Sequence, residues 1–172
     1  MVELTTNYCG LTLKNPLVPS SSPLTGNLDD VRRLEDAGAA ALIMPSLFEE
    51  ELIDEQEQMH RFMDMQDIGH HEADSFLPTV HQYQSRLDQT LEKVARYKQS
   101  LSIPVVASLN GVTDSGWIEH AKDLQEAGCD AIELNLFGID TDPAASSELI
   151  EQRYLNTVSH LVASVKVPCV VK

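Results

Sequence analysis

The sequence predicts an α/β fold, a partial (βα)8 TIM barrel with about strands 1 to 5 behind an N-terminal β-hairpin. Three observations carry that expectation. Short β-branched runs alternate with longer amphipathic stretches, the pattern of βα units around a parallel sheet. Glu35-Asp36-Ala37-Gly38-Ala39-Ala40-Ala41-Leu42-Ile43 recurs in kind as Gln125-Glu126-Ala127-Gly128-Cys129-Asp130-Ala131-Ile132-Glu133, each a helix end, a glycine just beyond it and a buried strand. Ile103-Pro104-Val105-Val106-Ala107 likewise matches Val167-Pro168-Cys169-Val170-Val171. A doubly wound sheet gives the same alternation and stays open as an alternative.

Taken in order, residues 2–5 and 11–13, separated by Asn7 and Gly10, read as the entry hairpin. Residues 17–20 read as the first buried strand, followed by the polar loop Ser21-Ser22-Pro23-Leu24-Thr25-Gly26. Asn27 can cap a helix running to Ala37, because its side chain accepts from orphan N–H groups and Asp29 and Asp30 fall in the favourable first turn. Gly38 ends it, and residues 41–44 form the second strand. From Glu49 to Asp74 there are ten acidic residues against one basic residue, Arg61, with methionines interleaved and no sustained period. That composition predicts an irregular, solvated acidic lid at about 46–78. A helix is expected from Thr79 to about Leu101, then a third strand over 105–108 and a helix capped by Asp114 or Ser115 and closed by Gly128. Residues 131–136 are the fourth strand, 148–165 a helix and 168–171 the fifth strand.

The chain has 172 residues, whereas a whole (βα)8 barrel needs about 250. Five core strands, the last of them apolar, predict an isolated N-terminal half or a truncated reading frame, organised as one domain over 1–172. Twelve Lys and Arg face 27 Asp and Glu, a net charge of −15. Such a chain repels polyanions, so neither nucleic acid nor an anionic membrane is an expected partner. Cys9, Cys129 and Cys169 are odd in number and widely spaced, which argues against a disulfide framework or a zinc site. With no signal-like N-terminus and no apolar run near membrane length, a cytoplasmic, reduced protein is expected.

Functional residues of parallel α/β folds collect at the carboxyl ends of strands. By that rule the candidates are Ser20, Ser21 and Ser22; Pro45 and Ser46; Ser108, Asn110 and Gly111; Asn135, Phe137 and Gly138; and Lys172. The set is rich in neutral donors and acceptors with one cation, and it suits a flat polar heteroaromatic ligand better than a metal. Asn135 and Lys172 stand out, since an amide and an ammonium flanked by apolar residues need a partner. His60, His70, His71 and His81 match no metal-ligand signature and are read, with Asp54, Glu55 and Glu57, as a solvated face. Tyr83 and Trp117 are read as packing residues.

Asn15-Pro16-Leu17-Val18-Pro19-Ser20-Ser21-Ser22, Val106-Ala107-Ser108-Leu109-Asn110-Gly111, Glu133-Leu134-Asn135-Leu136 and Val170-Val171-Lys172, in that order and spacing, resemble the dihydroorotate dehydrogenase family. The resemblance runs over nearly the whole chain but only the first half or so of a family member. It implies a (βα)8 barrel with FMN at its carboxyl face, hydride transfer from a small CH–CH substrate to the flavin, and a place in pyrimidine biosynthesis. It further implies that Ser20 and Ser21 lie along the flavin, that Ser108 and Asn135 hydrogen-bond its ring or the substrate, and that Lys172 reaches its pyrimidine part. A cation there stabilises the anionic reduced flavin.

The sequence departs from the family pattern in three places. Where members carry Ser-Cys-Pro-Asn or Ser-Ser-Pro-Asn with the proton-removing base, this chain has Phe137-Gly138-Ile139-Asp140, so glycine stands at the base position. Pro45 replaces the lysine after strand two, and no Asn-x-Met-Gly-x-x-Asn loop occurs between Glu49 and Pro78. These departures suit a dihydroorotate dehydrogenase-like oxidoreductase with another substrate. The loops expected to hold the FMN phosphate follow strands seven and eight, so these 172 residues alone are expected to bind FMN weakly. Two other readings are a flavin-free half-barrel that self-associates through its unclosed sheet and a lyase or aldolase using Lys172 as a Schiff base. A homo-oligomer or a missing C-terminal half is the expected partner.

Overall fold

The structure, a computed structural model, describes residues 2–67, 83–111, 116–137 and 139–172, with backbone only at 63–67 and 116–117. Two short antiparallel strands come first, β1 (Thr6–Tyr8) and β2 (Leu11–Leu13). Cys9 and Gly10 between them both have positive φ, +51° and +79°. That is the mark of a two-residue turn whose twist matches the flanking strands. The turn sets Tyr8 opposite Leu11 and Thr6 opposite Leu13, so the first hairpin strand is 6–8 and not the expected 2–5.

Four strands, β3 (Leu42–Phe48), β4 (Val105–Asn110), β5 (Ala131–Asn135) and β6 (Cys169–Val171), form a parallel sheet in that order. The helices before and between them are α1 (Leu28–Asp36), which precedes β3, and α2 (Glu49–Asp67), α3 (Arg86–Ser100), α4 (Gly116–Glu126) and α5 (Ser147–Ser164). Residues 17–20, expected as the first strand, lie beside β3 without completing a ladder. Ala40 N–H donates to Leu17 O at 2.9 Å and Ile43 N–H to Pro19 O at 3.1 Å. The reciprocal parallel bond to Ala40 O would have to come from position 19, and proline has no N–H.

The repeated helix-to-strand joint is reproduced in the backbone. Gly38 and Gly128 have φ of +107° and +100°, a conformation that any Cβ disfavours. At both joints the glycine N–H bonds back three residues and the next N–H bonds back five, Ala39 to Leu34 and Cys129 to Leu124. Asn27 caps α1 as expected, its Oδ1 accepting from Asp30 N–H at 2.9 Å.

One face of the sheet carries all five helices. Leu42, Met44, Val105, Ala107, Ile132 and Leu134 pack with Val31, Leu52, Val94, Leu124 and Leu161, which come from α1 to α5 in turn. The other face carries Ile43, Val106 and Ala131, covered by Leu11 of the hairpin and Val18. A doubly wound sheet has helices on both faces; helices on one face alone are consistent with part of a TIM barrel. The cysteine expectation holds for Cys129, buried with its thiol pushed up to about 11 by burial. Cys169 is half-buried and packs at the edge of the same cluster.

The second strand is longer than the expected 41–44 and continues through Pro45 to Phe48. Leu42 and Ile43 pair with Val105 and Val106, but Ser46 pairs with Ser108, so β3 holds one residue more than its partner. Side chains alternate along a strand, so this bulge turns Ser46 onto the interior face and Leu47 onto the helix face, where Leu47 is buried. A proline is accommodated at such a point because the ladder is already interrupted.

Over residues 49–67 the acidic stretch also differs from expectation: it is helical, as the 19-residue α2, while its remainder at 68–78 lies outside the described residues. Its residues have good helix propensity and Glu49, Glu50 and Glu51 occupy the first turn. Leu52 is its buried anchor, so no apolar stripe announces it. Glu55 accepts from Arg86 N–H at 3.0 Å and from the Tyr83 hydroxyl, and Glu51 pairs with Arg86 at 2.6 Å. Tyr83 is therefore an exposed partner of α2 and not a packing residue. The following helix begins at Arg86, not Thr79, because Ser85 and Asp88 form a reciprocal capping box, Asp88 N–H to Ser85 Oγ at 3.0 Å and Ser85 N–H to Asp88 Oδ2 at 3.1 Å. His70, His71, His81, Gly138, Asp114 and Ser115 lie outside the described residues, as does the Trp117 side chain.

Tyr97 is buried in the helix-side core with its hydroxyl donating to Thr25 O at 3.1 Å. Burial pushes its phenol up to about 12. A raised folded-state value means stability is fully present below the free tyrosine value near 10 and is lost as pH rises from about 10 to 12. The loss should amount to about 2 to 3 kcal/mol. Urea denaturation at pH 9 and 11.5 will measure it, and Tyr97→Phe should flatten that part of the profile. Insertion of one alanine between Pro45 and Ser46 should put Ser46 on the helix face and Leu47 on the interior face, destabilising the fold by about 3 kcal/mol or more. The same denaturation measurement reads that change.

Candidate functional site

The bulge brings Ser46 into register with Ser108 on β4, and Ser108 is in register with Glu133 on β5. Three polar side chains thus form a row across the interior face, one step above the apolar layer of Ile43, Val106 and Ala131. Ser108 Oγ donates to Glu133 Oε1 at 3.0 Å, and Ser46 Oγ lies 2.8 Å from Ser108 Oγ. Ser21 Oγ lies 3.4 Å from Ser46 Oγ and accepts from Ser46 N–H at 3.2 Å. Lys172 Nζ approaches Glu133 Oε1 at 3.9 Å, held there by its own backbone N–H bonding to Leu134 O at 2.9 Å. A polar line therefore runs from Ser21 through Ser46, Ser108 and Glu133 to Lys172.

Burial grades along this line. Ser21 and Ser46 are half-buried, Ser108 and Glu133 are 2% and 4% exposed, and the Lys172 side chain is 52% exposed. Hydroxyl stoichiometry fixes its polarity, because a serine has one proton to donate. Ser108 commits its proton to Glu133, so it accepts from Ser46, and Ser46 in turn accepts from Ser21. All three O–H bonds point toward the buried carboxylate. Burial, Cys9 and the Glu133 charge together raise the Tyr8 phenol above its ordinary value, so the end of the hairpin lies within the field of this group.

One rung farther toward the carboxyl edge, Asn110 and Asn135 are directly paired in register. Both are half-buried, and neither side-chain amide makes a hydrogen bond among the described residues. With Lys172 they form a rim of donors above the serine row. Amides at a strand edge with no hydrogen bond among the described residues are the type of group that holds carbonyl oxygens of a ligand.

Of the sequence candidates, Ser21, Ser46, Ser108 and Lys172 are joined in one line, and Asn110 and Asn135 stand beside it. Ser20 is exposed and apart from them. Ser22 closes a local turn, its backbone exchanging bonds with Thr25 Oγ1 at 3.2 and 2.9 Å. Pro45 acts through the bulge, Phe137 is exposed and Gly111 is half-buried beyond β4. Glu133 was missed as a candidate, although a lone carboxylate inside Ala131-Ile132-Glu133-Leu134 is a readable signal: a charge in an otherwise apolar strand requires partners. Among the described residues no group of His, Cys, Asp and Glu could hold a metal ion.

No family model matches the chain. Among curated proteins it is 26% identical over 177 residues to the catalytic subunit of dihydroorotate dehydrogenase B (NAD(+)) from Thermoplasma acidophilum, covering 100% of this chain and 54% of that protein. It is 32% identical over 88 residues to a putative dihydroorotate dehydrogenase A (fumarate) from Aeropyrum pernix, covering 46% of this chain and 26% of that one. The NAD-dependent dihydropyrimidine dehydrogenase subunit PreA of Escherichia coli is 25% identical over 169 residues, covering 87% and 38%. The chain thus spans about half, or less, of the length of these relatives. On the strength of these several relatives, the chain is dihydroorotate dehydrogenase-like in sequence.

Proposed function

We propose that this chain is the N-terminal part of a (βα)8 flavin oxidoreductase that takes a hydride from a dihydropyrimidine-like or other small CH–CH substrate. The observation that carries the reading is the donor rim of Asn110, Asn135 and Lys172 above the Ser21, Ser46, Ser108 row, at the carboxyl edge of a parallel sheet. The names of the relatives support it, since they are dehydrogenases of dihydroorotate and dihydropyrimidines. The residues fit FMN: two amides without a hydrogen bond among the described residues and an ammonium suit the carbonyl edge of an isoalloxazine ring, with Ser21 and Ser108 beside it. FMN, when bound, would supply the hydride acceptor.

The chain's own residues would do the rest. Lys172 would place a positive charge against the pyrimidine edge of the ring, where reduced flavin is anionic. Asn135 and Asn110 would fix its orientation, and the apolar layer below would keep water from the inner face. Ser20, exposed where Ser21 and Ser46 are half-buried, would contact the ring only along its outer edge. Nothing among the described strands corresponds to the later loops expected to hold the phosphate, and the net charge of −15 opposes a phosphate dianion.

A second reading, a flavin-free half-barrel that self-associates, is favoured by exposed apolar side chains on one flank, Leu155 and Val162 of α5 and Val171 of β6. Light scattering across a concentration series separates the two, since a monomer at all concentrations removes the second.

Two outcomes are expected for flavin binding, read by quenching of flavin fluorescence. FMN and the phosphate-free ring lumiflavin should bind this chain with similar affinity, and Lys172→Ala should weaken both about tenfold or more. Unquenched fluorescence at millimolar protein overturns the flavin reading.

A further inference from the structure

The polarity of the serine row has a chemical consequence. Ser46 donates to Ser108 and Ser108 donates to Glu133, so a proton arriving at Ser46 Oγ can be passed inward by two transfers along bonds already made. Ser46 is half-buried and has one oxygen lone pair not engaged by Ser21 or Ser108, whereas Ser108 and Glu133 are closed off from solvent. Among the described residues the carboxylate is the acceptor at the inner end of the row, and Lys172 Nζ at 3.9 Å supplies its counter-charge.

We propose that Ser46, Ser108 and Glu133 form a proton relay in which Ser46 takes the acidic C–H proton of the substrate and Glu133 stores it. The proposal rests on the dihydropyrimidine reading for its substrate class and supplies the base that Gly138 at the family's position cannot be. The proton beside the substrate carbonyl passes to Ser46 Oγ as the Ser46 proton moves to Ser108 Oγ and the Ser108 proton to Glu133 Oε1. The carboxylate becomes a carboxylic acid. The electron pair of the broken C–H bond forms the C=C bond as the neighbouring carbon loses hydride to the flavin, the oxidant of the reading above. Return of the proton to solvent retraces the row. Ser46 is the group that touches substrate; Ser108 and Glu133 act through it.

Removal of a proton beside a carbonyl is detectable without any flavin, by exchange for deuterium. The probe is 5,6-dihydrouracil in D2O with the full, flavin-free chain, followed by loss of its C5 proton signal in NMR. The wild-type chain is expected to exchange it well above the buffer rate. Ser108→Ala and Glu133→Gln should each lower the enzymatic rate by about 100-fold. Ser108→Thr, which keeps the hydroxyl, should retain most of it, and circular dichroism should verify that every variant is folded. Exchange by Ser108→Ala at the wild-type rate, or no exchange above buffer by the wild type, overturns the relay. Exchange in a chain that leaves flavin fluorescence unquenched would uphold the relay while removing the flavin reading, so the two fail separately.

Discussion

A carboxylate buried on the interior face of a sheet must be solvated by the protein, and in this chain that requirement organises the whole site. Glu133 is 4% exposed in a strand whose neighbours are Ile132 and Leu134. Removing a charge from water costs several kcal/mol unless hydrogen bonds and a counter-charge replace its hydration. Ser108 provides the hydrogen bond and Lys172 the charge. Each in turn engages or faces a further group, so that one buried charge aligns residues from β3, β4, β5 and the end of β6. The row is consequently polar in sense as well as in composition, with every hydroxyl proton directed inward.

That alignment depends on a backbone irregularity. If Pro45 took a place in the regular alternation instead of being bulged out of it, the strand period of two would put Ser46 among the helices and Leu47 in the site. The bulge reverses the alternation for the last three residues of β3 while leaving Leu42, Ile43 and Met44 in their places. The proline that makes the position unlike the lysine of the related pattern is thus also the residue that the interrupted ladder accommodates.

Charge is distributed in keeping with this division. The acidic excess is concentrated on α2, on the outer layer, where Glu51 and Glu55 are used to hold Arg86 and Tyr83 and so to seat the start of α3. On the interior face the described carboxylate is Glu133, and its partner is the terminal Lys172. The strongly negative chain therefore presents a local site that is close to electrically balanced.

Glycine at Gly38 and Gly128, the asparagine cap at Asn27 and the apolar runs over β4 and β5 are local signals, and each predicted its element because helix ends and buried strands are decided by nearest neighbours. The strand-end rule likewise named, from position alone, Ser21, Ser46, Ser108, Asn110, Asn135 and Lys172, which the fold brings together at the carboxyl edge. What eluded the sequence were features with no local periodicity: α2, secured by Leu52 and by partners on the next helix, and residues 17–20, whose ladder fails at Pro19. The sequence by itself determined the alternation of elements and which residue types stand at the strand ends. The tertiary structure decided which of them meet, because register between strands 25 to 62 residues apart, and a single inserted residue in one of them, set the face on which each side chain lies.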